Sequence, residues 1–300
     1  MSAFFYSFIQ PFLDYLKYQK RYSQHTVISY QTDLIGFFDF ITLKYGDLPL
    51  PDIKPTLVRT WLASLKEKKI ASKSVNRKIS TLKSFFKYQL RNRAIVVSPM
   101  ATIVSLKVSK RLPSFVDQKD TATLFKHIEF PDTWQGRTDH LLLKLFYQTG
   151  IRLNELINLK KSQVDTGNSN IKVTGKGNKE RVIPVNIDLI NDILFYMAEK
   201  KTNIENADQQ YILISRKGGK LYPKYVYRTV KSYLTAVTTN NRKSPHVLRH
   251  SFATHLINNG ADINAVKELL GHTSLASTQI YTHNSIEKLK DIHKKAHPKS

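Results

Sequence analysis

The sequence predicts a mainly α-helical chain of two domains, the first all helical and the second mixed α/β with a small β-sheet. Three observations predict it. Three long regions repeat their apolar residues at helical spacing. One stretch, residues 171–185, instead places two β-branched runs on either side of Gly175-Lys176-Gly177-Asn178, a hairpin signal. The 300 residues, 41% hydrophobic, favour two domains over one. A basic stretch bracketed by prolines, 98–114, breaks the helical period and reads as the connection between them. The division expected is 1–100, a linker at 101–113, and 114–300.

The elements follow in order. Residues 4–20 read as a helix, and 24–44 as a second, with Ser23 as its N-cap and Gly46 as its stop. Helices over 55–68 and 72–91 follow, the latter with Val75, Ile79, Leu82, Phe86 and Leu90 as a core stripe. The second domain opens with a helix at 138–147, a Thr149-Gly150 turn and a helix at 152–161. After the hairpin come helices at 187–201 and 223–237. A helix from His246 to Asn259 lies between Pro245 and Gly260, the residues favoured just inside a helix start and just past its end. Asp262 caps a helix that ends at Gly271, and Thr273 caps one leading to Tyr281.

The charge narrows the partners. Lys and Arg number 47 against 23 Asp and Glu, a net +24, and such a field attracts polyanions, nucleic acid above all. Between Lys54 and Arg93 stand 12 basic residues with Glu67 as the one acid. Like charges at helical spacing repel, so Lys73, Arg77, Lys78, Lys83 and Lys87, interleaved with the core stripe, form a face without counter-charge of its own. That face is a candidate DNA-binding surface; a merely soluble basic surface is the other reading. With no cysteine in the chain, thiol nucleophiles, disulfides and Cys-based zinc sites are excluded. The absence of a long apolar span and of a signal peptide leads to the expectation of a cytoplasmic protein without membrane insertion.

The chemistry-bearing residues concentrate between Pro245 and His283. His246 and Arg249 stand three apart, His272 follows in a Gly-His turn, and Tyr281 lies nine residues later. Imidazoles, cations and one phenol suit chemistry on a phosphodiester, with Tyr281 as nucleophile and arginines holding the phosphate. A phenol of pKa about 10 needs cations nearby to act at neutral pH. Arg249 is one; Arg152, beside the Gly150 turn, is another, with Glu155 one helical turn on to orient it. Arg152 and Glu155 also read as a simple surface pair. Lys176, at the hairpin tip, reads either as a groove-reaching cation or as a solvated turn. Gly175-Lys176-Gly177 lacks the spacing of a phosphate-binding loop and leads into a strand, which argues against a nucleotide cofactor. His246, His250 and His255 invite a metal, but no carboxylate lies beside them and Arg249 would repel a cation. His250 and His255 read instead as buried, hydrogen-bonded histidines.

Taken together, Thr149–Leu156 (TGIRLNEL), Gly175–Arg181 (GKGNKER), His246–His255 (HVLRHSFATH) and Leu270–His283 (LLGHTSLASTQIYTH) resemble the tyrosine recombinases of the phage integrase family, the Xer type most closely. The closing KAHPKS is similar too, and the resemblance covers the whole chain. It implies a SAM-like core-binding domain ahead of a catalytic domain, the two clamping duplex DNA. It implies that Tyr281 attacks the scissile phosphate to give a 3′-phosphotyrosyl link, that Arg152 and Arg249 clamp the non-bridging oxygens, and that Lys176 protonates the leaving 5′-oxygen. His272 would hydrogen-bond the phosphate, His246 would assist proton transfer from Tyr281, and Glu155 would support the arginine. No metal or nucleotide is implied, since the covalent link stores the phosphodiester energy. The implied partners are a double-stranded recombination site, a homo- or hetero-tetramer on two such sites, and a septal DNA translocase. The implied role is resolution of chromosome dimers at cell division, on the nucleoid. Residues 285–296 are amphipathic through Ile286, Leu289 and Ile292, and would dock on a neighbouring subunit or pack in cis. A mobile-element recombinase, a type IB topoisomerase and a non-catalytic DNA-binding protein are the alternatives.

Overall fold

The computed structural model describes residues 3–108, 114–175 and 179–271. The chain divides into two units, Met1–Arg111 and Leu112–Ser300, each with its own apolar core.

The first unit is built from α1 (Ala3–Asp14), α2 (Gln24–Tyr45), α3 (Pro55–Glu67) and α4 (Ser72–Arg91). The single helix expected over 4–20 contains Pro11, which has no N–H for the ladder, and at Tyr15–Gln19 the helix widens into a π turn. Ser23 caps α2, its hydroxyl accepting from the Thr26 N–H at 3.3 Å, and Gly46 ends it at φ +79°. Of the α4 stripe, Val75, Ile79, Leu82 and Phe86 are buried. They meet a cluster of aromatic edges, with Phe37 against Trp61 at 5.1 Å and Phe38 against Phe85 at 5.6 Å between ring centres. Residues 101–108, expected as linker, partly belong to this unit. Ile103 is buried in its core, and the Asn76 side chain clasps Leu106, donating to its carbonyl and accepting from its N–H at 2.9 and 2.8 Å.

One expectation is corrected here. Two members of the basic face of α4, Arg77 and Lys78, do have a counter-charge, supplied from α2. Asp33 is fully buried, and its carboxylate accepts from Arg77 at 2.5 Å, Lys78 at 2.8 Å and the Thr81 hydroxyl at 3.0 Å. Asp33 stands four residues before Phe37 on the apolar face of α2, so a charge in the core had to find partners, and α4 provides three.

The second unit comprises α5 (Gln118–Lys126), α6 (Trp134–Thr149), α7 (Leu153–Ile157), a three-stranded antiparallel sheet, α8 (Ile187–Asn203), α9 (Pro223–Val237), α10 (Pro245–Asn258) and α11 (Ile263–Leu270). The strands are β1 (Val164–Asp165), β2 (Asn170–Thr174) and β3 (Glu180–Pro184), in the order β1-β2-β3. β2 and β3 form the expected hairpin, in the register Val173 opposite Arg181 and Thr174 opposite Glu180. The helix expected over 152–161 stops at Ile157, because Leu159 and Lys160 turn out to bridge to Ile212 and Tyr211. α10 and α6 pack on each other at the centre, and each is buried on most of its circumference. Lys200, at the end of the buried face of α8, is also fully enclosed; its ammonium donates to the carbonyls of Asp208 and Tyr211 at 3.0 and 2.7 Å. No helix among the described residues is long and apolar enough to cross a membrane.

The Asp33 arrangement carries a prediction. Asp33→Ala strips Lys78 and Thr81 of a buried partner and should destabilise the first unit by about 2–3 kcal/mol. Hydrogen exchange of the α2 and α4 amides in the full chain reports that unit separately; unchanged protection would contradict the assignment.

Candidate active site

The site begins with two helix ends. α6 closes on Gly150 at φ +58°, the left-handed geometry that terminates helices, and α11 closes on Gly271 at φ +65°. Neither position tolerates a side chain. A Cβ at Gly150 would stand 2.5 Å from the Phe252 ring and 2.7 Å from Leu270, and one at Gly271 would stand 3.2 Å from Arg181 Cδ. These close approaches bring the carbonyl-bearing ends of α6 and α11 together over the side of α10. A helix C-terminus presents unpaired carbonyls and the negative end of its dipole, so cations gather there.

Three arginines meet three successive carbonyls of α11. Arg181 Nε donates to Leu269 O at 2.8 Å, Arg249 Nη2 to Leu270 O, and Arg152 Nη2 to Gly271 O at 2.7 Å. Arg249 also donates to Gly150 O. It is carried inward because its helix is buried nearly all round, and these two carbonyls satisfy it there.

Glu155 organises the cluster. As the third residue of α7, its carboxylate turns back to accept the Arg152 N–H at 2.8 Å, capping its own helix. The same carboxylate accepts from Arg152 Nη1 at 2.8 Å and takes both Nη1 and Nη2 of Arg181 at 2.8 Å, a fork-to-fork pair. Burial pushes this carboxyl up, but the hydrogen bonds and charge of Arg181, with the two hydrogen bonds from Arg152, prevail and hold it at about 2. The reading of Arg152 and Glu155 as a surface pair is therefore set aside: the Glu155 side chain is 4% exposed.

The electrostatics point to an anion. Burial, then the charges of Arg152 and Arg181, pull the Arg249 guanidinium down to about 9, with Glu155 opposing them. It remains a cation at neutral pH, but one crowded by like charge. Among the described residues, Glu155 pairs with Arg152 and Arg181, and its charge alone opposes theirs on Arg249. Arg152, with its side chain 34% exposed, is the member of the cluster open to a ligand. A phosphate placed there would relieve the imbalance.

Of the other residues singled out by sequence, His246 is exposed on the first turn of α10, one turn before Arg249. His250 is half-buried, edge-on to Phe115, and burial lowers its pKa. His255 is buried with Nδ1 3.1 Å from the Tyr147 hydroxyl, and burial lowers its pKa too. No group of three metal-ligating side chains occurs among the described residues. Lys176, His272 and Tyr281 lie outside the described residues, as do the helices expected from Thr273 and over 285–296. Gly175 is described: a Cβ there would stand 3.3 Å from Glu155 Oε1 and 3.5 Å from Arg152 Nη1, so the hairpin abuts the cluster at its base. On α4, Lys73, Arg77, Lys83 and Lys87 are exposed and Lys78 is half-buried. Arg77 and Lys78 are already engaged by Asp33.

The residue that sequence reading missed is Arg181. The signal was there: in Glu180–Pro184 the inward positions are Arg181 and Ile183, so a charge occupies the apolar phase of a strand.

Glu155 makes stability pH-dependent. Held at about 2 against an ordinary 4.5, it contributes about 3 kcal/mol. Its folded value is the lower one, so this stability is present above pH 4.5 and is lost as the pH falls through about 2. Urea unfolding of the wild type and Glu155→Gln, followed by Trp134 fluorescence with Trp61→Phe in both, should show a gap that closes over that range. A gap independent of pH would contradict it.

Comparison with known proteins shows the family. Residues 114–288 match the phage integrase family, and residues 9–93 match the phage integrase N-terminal SAM-like domain. The chain is 33% identical to the tyrosine recombinase XerC of Chlorobaculum parvum, over 97% of this chain and 94% of that one. It is 36% identical to XerC of Staphylococcus saprophyticus, over 97% of each. In fold it is similar to the XerH site-specific recombinase bound to a palindromic difH substrate, with TM-score 0.70 and 22% identity over 89% of this chain and 78% of that one. It is similar also to a lambda integrase dimer bound to a core site, with TM-score 0.69 and 20% identity over 92% of this chain and 99% of that one. The chain belongs to the phage integrase family and is a Xer-type site-specific tyrosine recombinase, an enzyme that cleaves and rejoins DNA.

Proposed function

We propose that the arginine cluster is the scissile-phosphate site and that Tyr281 is the nucleophile of a 3′-phosphotyrosyl intermediate. The observation that carries this reading is the convergence of Arg152 and Arg249, from separate segments, on neighbouring carbonyls of α11 with too little negative charge among them. Their guanidinium groups hold the non-bridging oxygens and stabilise the charge that grows as phosphorus becomes five-coordinate. Tyr281 Oη forms the new bond to phosphorus while the bond to the 5′-oxygen breaks. The phenolic proton leaves with help from His246, and Lys176 delivers a proton to the 5′-oxygen. His272 hydrogen-bonds the phosphate, and Glu155 keeps Arg152 in place. The reverse attack, by the 5′-hydroxyl of a partner strand, expels Tyr281 and completes exchange. The phosphotyrosyl bond conserves the energy of the phosphodiester, so the cycle calls for no cofactor.

Residues 1–100, with 101–108 packed on them, serve as the core-binding domain, the rest of 101–113 as the linker and 114–300 as the catalytic domain, both acting on a double-stranded site. Lys73, Lys83 and Lys87, with Arg77 and Lys78 anchored on Asp33, meet the phosphate backbone. Relatives named XerC at 33–36% identity along nearly the whole chain favour a cellular Xer role over a mobile-element one. In that role a recombinase tetramer, of one chain or two, resolves chromosome dimers on the nucleoid in the cytoplasm, with a septal DNA translocase as activator. Residues 285–296 dock between subunits.

A nicked duplex carrying the cognate site tests the chemistry. Wild type should leave a denaturant-resistant protein–DNA adduct, and Tyr281→Phe should leave none. An adduct that survives Tyr281→Phe, or none from wild type with its partner present, would sink the reading.

A further inference from the structure

We infer that Arg181 is a positioning residue that sets the scissile-phosphate geometry from both sides without touching the phosphate. The inference rests on the reading of Arg152 as a phosphate-holding group. Three features support it.

First, its bonds are shared between the two halves of the site. Nη1 and Nη2 hold both oxygens of Glu155, the carboxylate that orients Arg152, and Nε holds Leu269 O, in the last turn before Gly271. One planar group thus fixes the distance between the start of α7 and the end of α11. Those two places carry Arg152 and lead into the segment of His272 and Tyr281. Second, Arg181 is enclosed. Its side chain is 5% exposed, whereas that of Arg152 is 34% exposed. All three Arg181 nitrogens are already engaged, Nε by Leu269 O and Nη1 and Nη2 by Glu155, so a phosphate meets Arg152, with Arg181 behind it. Third, Arg181 has partners distant in the chain: Glu155 lies 26 residues away and Leu269 lies 88 residues away. It faces inward on β3, opposite Val173 on β2, and its aliphatic stem lies where a Cβ on Gly271 would come within 3.2 Å of its Cδ.

A lysine cannot replace this arrangement. It offers a point charge where the site uses a fork with a third donor set at a fixed angle. Without Arg181, Glu155 keeps the Arg152 N–H and Nη1 but is free to rotate, and Arg152 loses its fixed backing. A shift on the order of 1 Å in a group that stabilises a transition state slows the reaction about a hundredfold while scarcely changing ground-state affinity. The chemistry of Tyr281 would continue in such variants, only slower.

The test uses the full-length chain on the nicked duplex on which wild type forms its adduct. Single-turnover adduct rate and affinity for the site are measured for Arg181→Met, Arg181→Lys, Glu155→Gln and the double variant Arg181→Met/Glu155→Gln. The expected result is a rate about a hundredfold lower for both Arg181 variants, with affinity within about threefold of wild type. The double variant should be no slower than the slower single, because both act through the same link. Affinity falling in step with rate, a wild-type rate in Arg181→Lys, or fully additive losses would each overturn the inference. If Arg181→Met fails to fold, Arg181→Lys and Glu155→Gln still give the rate and affinity comparison. A wild type that forms no adduct would instead strike the proposed function.

Discussion

The Glu155 carboxylate is the interaction on which the catalytic unit turns. It accepts four hydrogen bonds: from the Arg152 N–H, from Arg152 Nη1, and from Nη1 and Nη2 of Arg181. Between them they reach three parts of the site. The backbone bond starts α7, the Arg152 side-chain bond aims that guanidinium, and the Arg181 pair ties α7 to β3. Through Arg181 Nε the chain of contacts continues to the end of α11. A single buried anion thus allows three like charges to stand together, and its two oxygens leave their charge only partly offset. That shortfall is what the proposed phosphate oxygen would offset.

The fold makes this possible by ending helices in the right place. Gly150 and Gly271 each close a helix in the left-handed conformation; a side chain at Gly150 would collide with Phe252 and Leu270, and one at Gly271 would crowd Arg181. Their compactness sets the carbonyls of Gly150, Leu270 and Gly271 within reach of Arg152 and Arg249. α10 is buried on nearly all sides, so Arg249 is only 6% exposed, and the carbonyls of Gly150 and Leu270 satisfy it there. The arginine cluster is therefore assembled at the ends of rigid elements, where donors to a bound anion would need little rearrangement.

Much of this was legible in the sequence. The α4 stripe, the Ser23 and Asp262 caps, the Gly150 and Gly271 stops and the β2–β3 hairpin all rest on local rules and appear as expected. What was not legible depends on distant partners. α5 shows no apolar period, since the two residues it buries are Thr121 and Leu124. The strand β1 is two residues long and exists only through its pairing with β2. Asp33, Arg181 and Lys200 make the same point: each is a charge in the apolar phase of its element, and each finds partners far along the chain or across a loop. A charge out of phase with its helix or strand is a signal that sequence can supply; its partner is not.

The account's central claim is that Arg249 and Arg152 form a phosphate site because they are cations short of a counter-charge. It is tested most directly by changing the charge of the phosphate. Single-turnover adduct formation is measured for wild type and Arg249→Ala on a cognate nicked duplex, with either the natural scissile phosphate or a methylphosphonate that lacks one anionic oxygen. The account predicts that losing Arg249 slows reaction on the phosphate about a hundredfold or more, and on the uncharged substrate far less. Equal losses on the two substrates would contradict it.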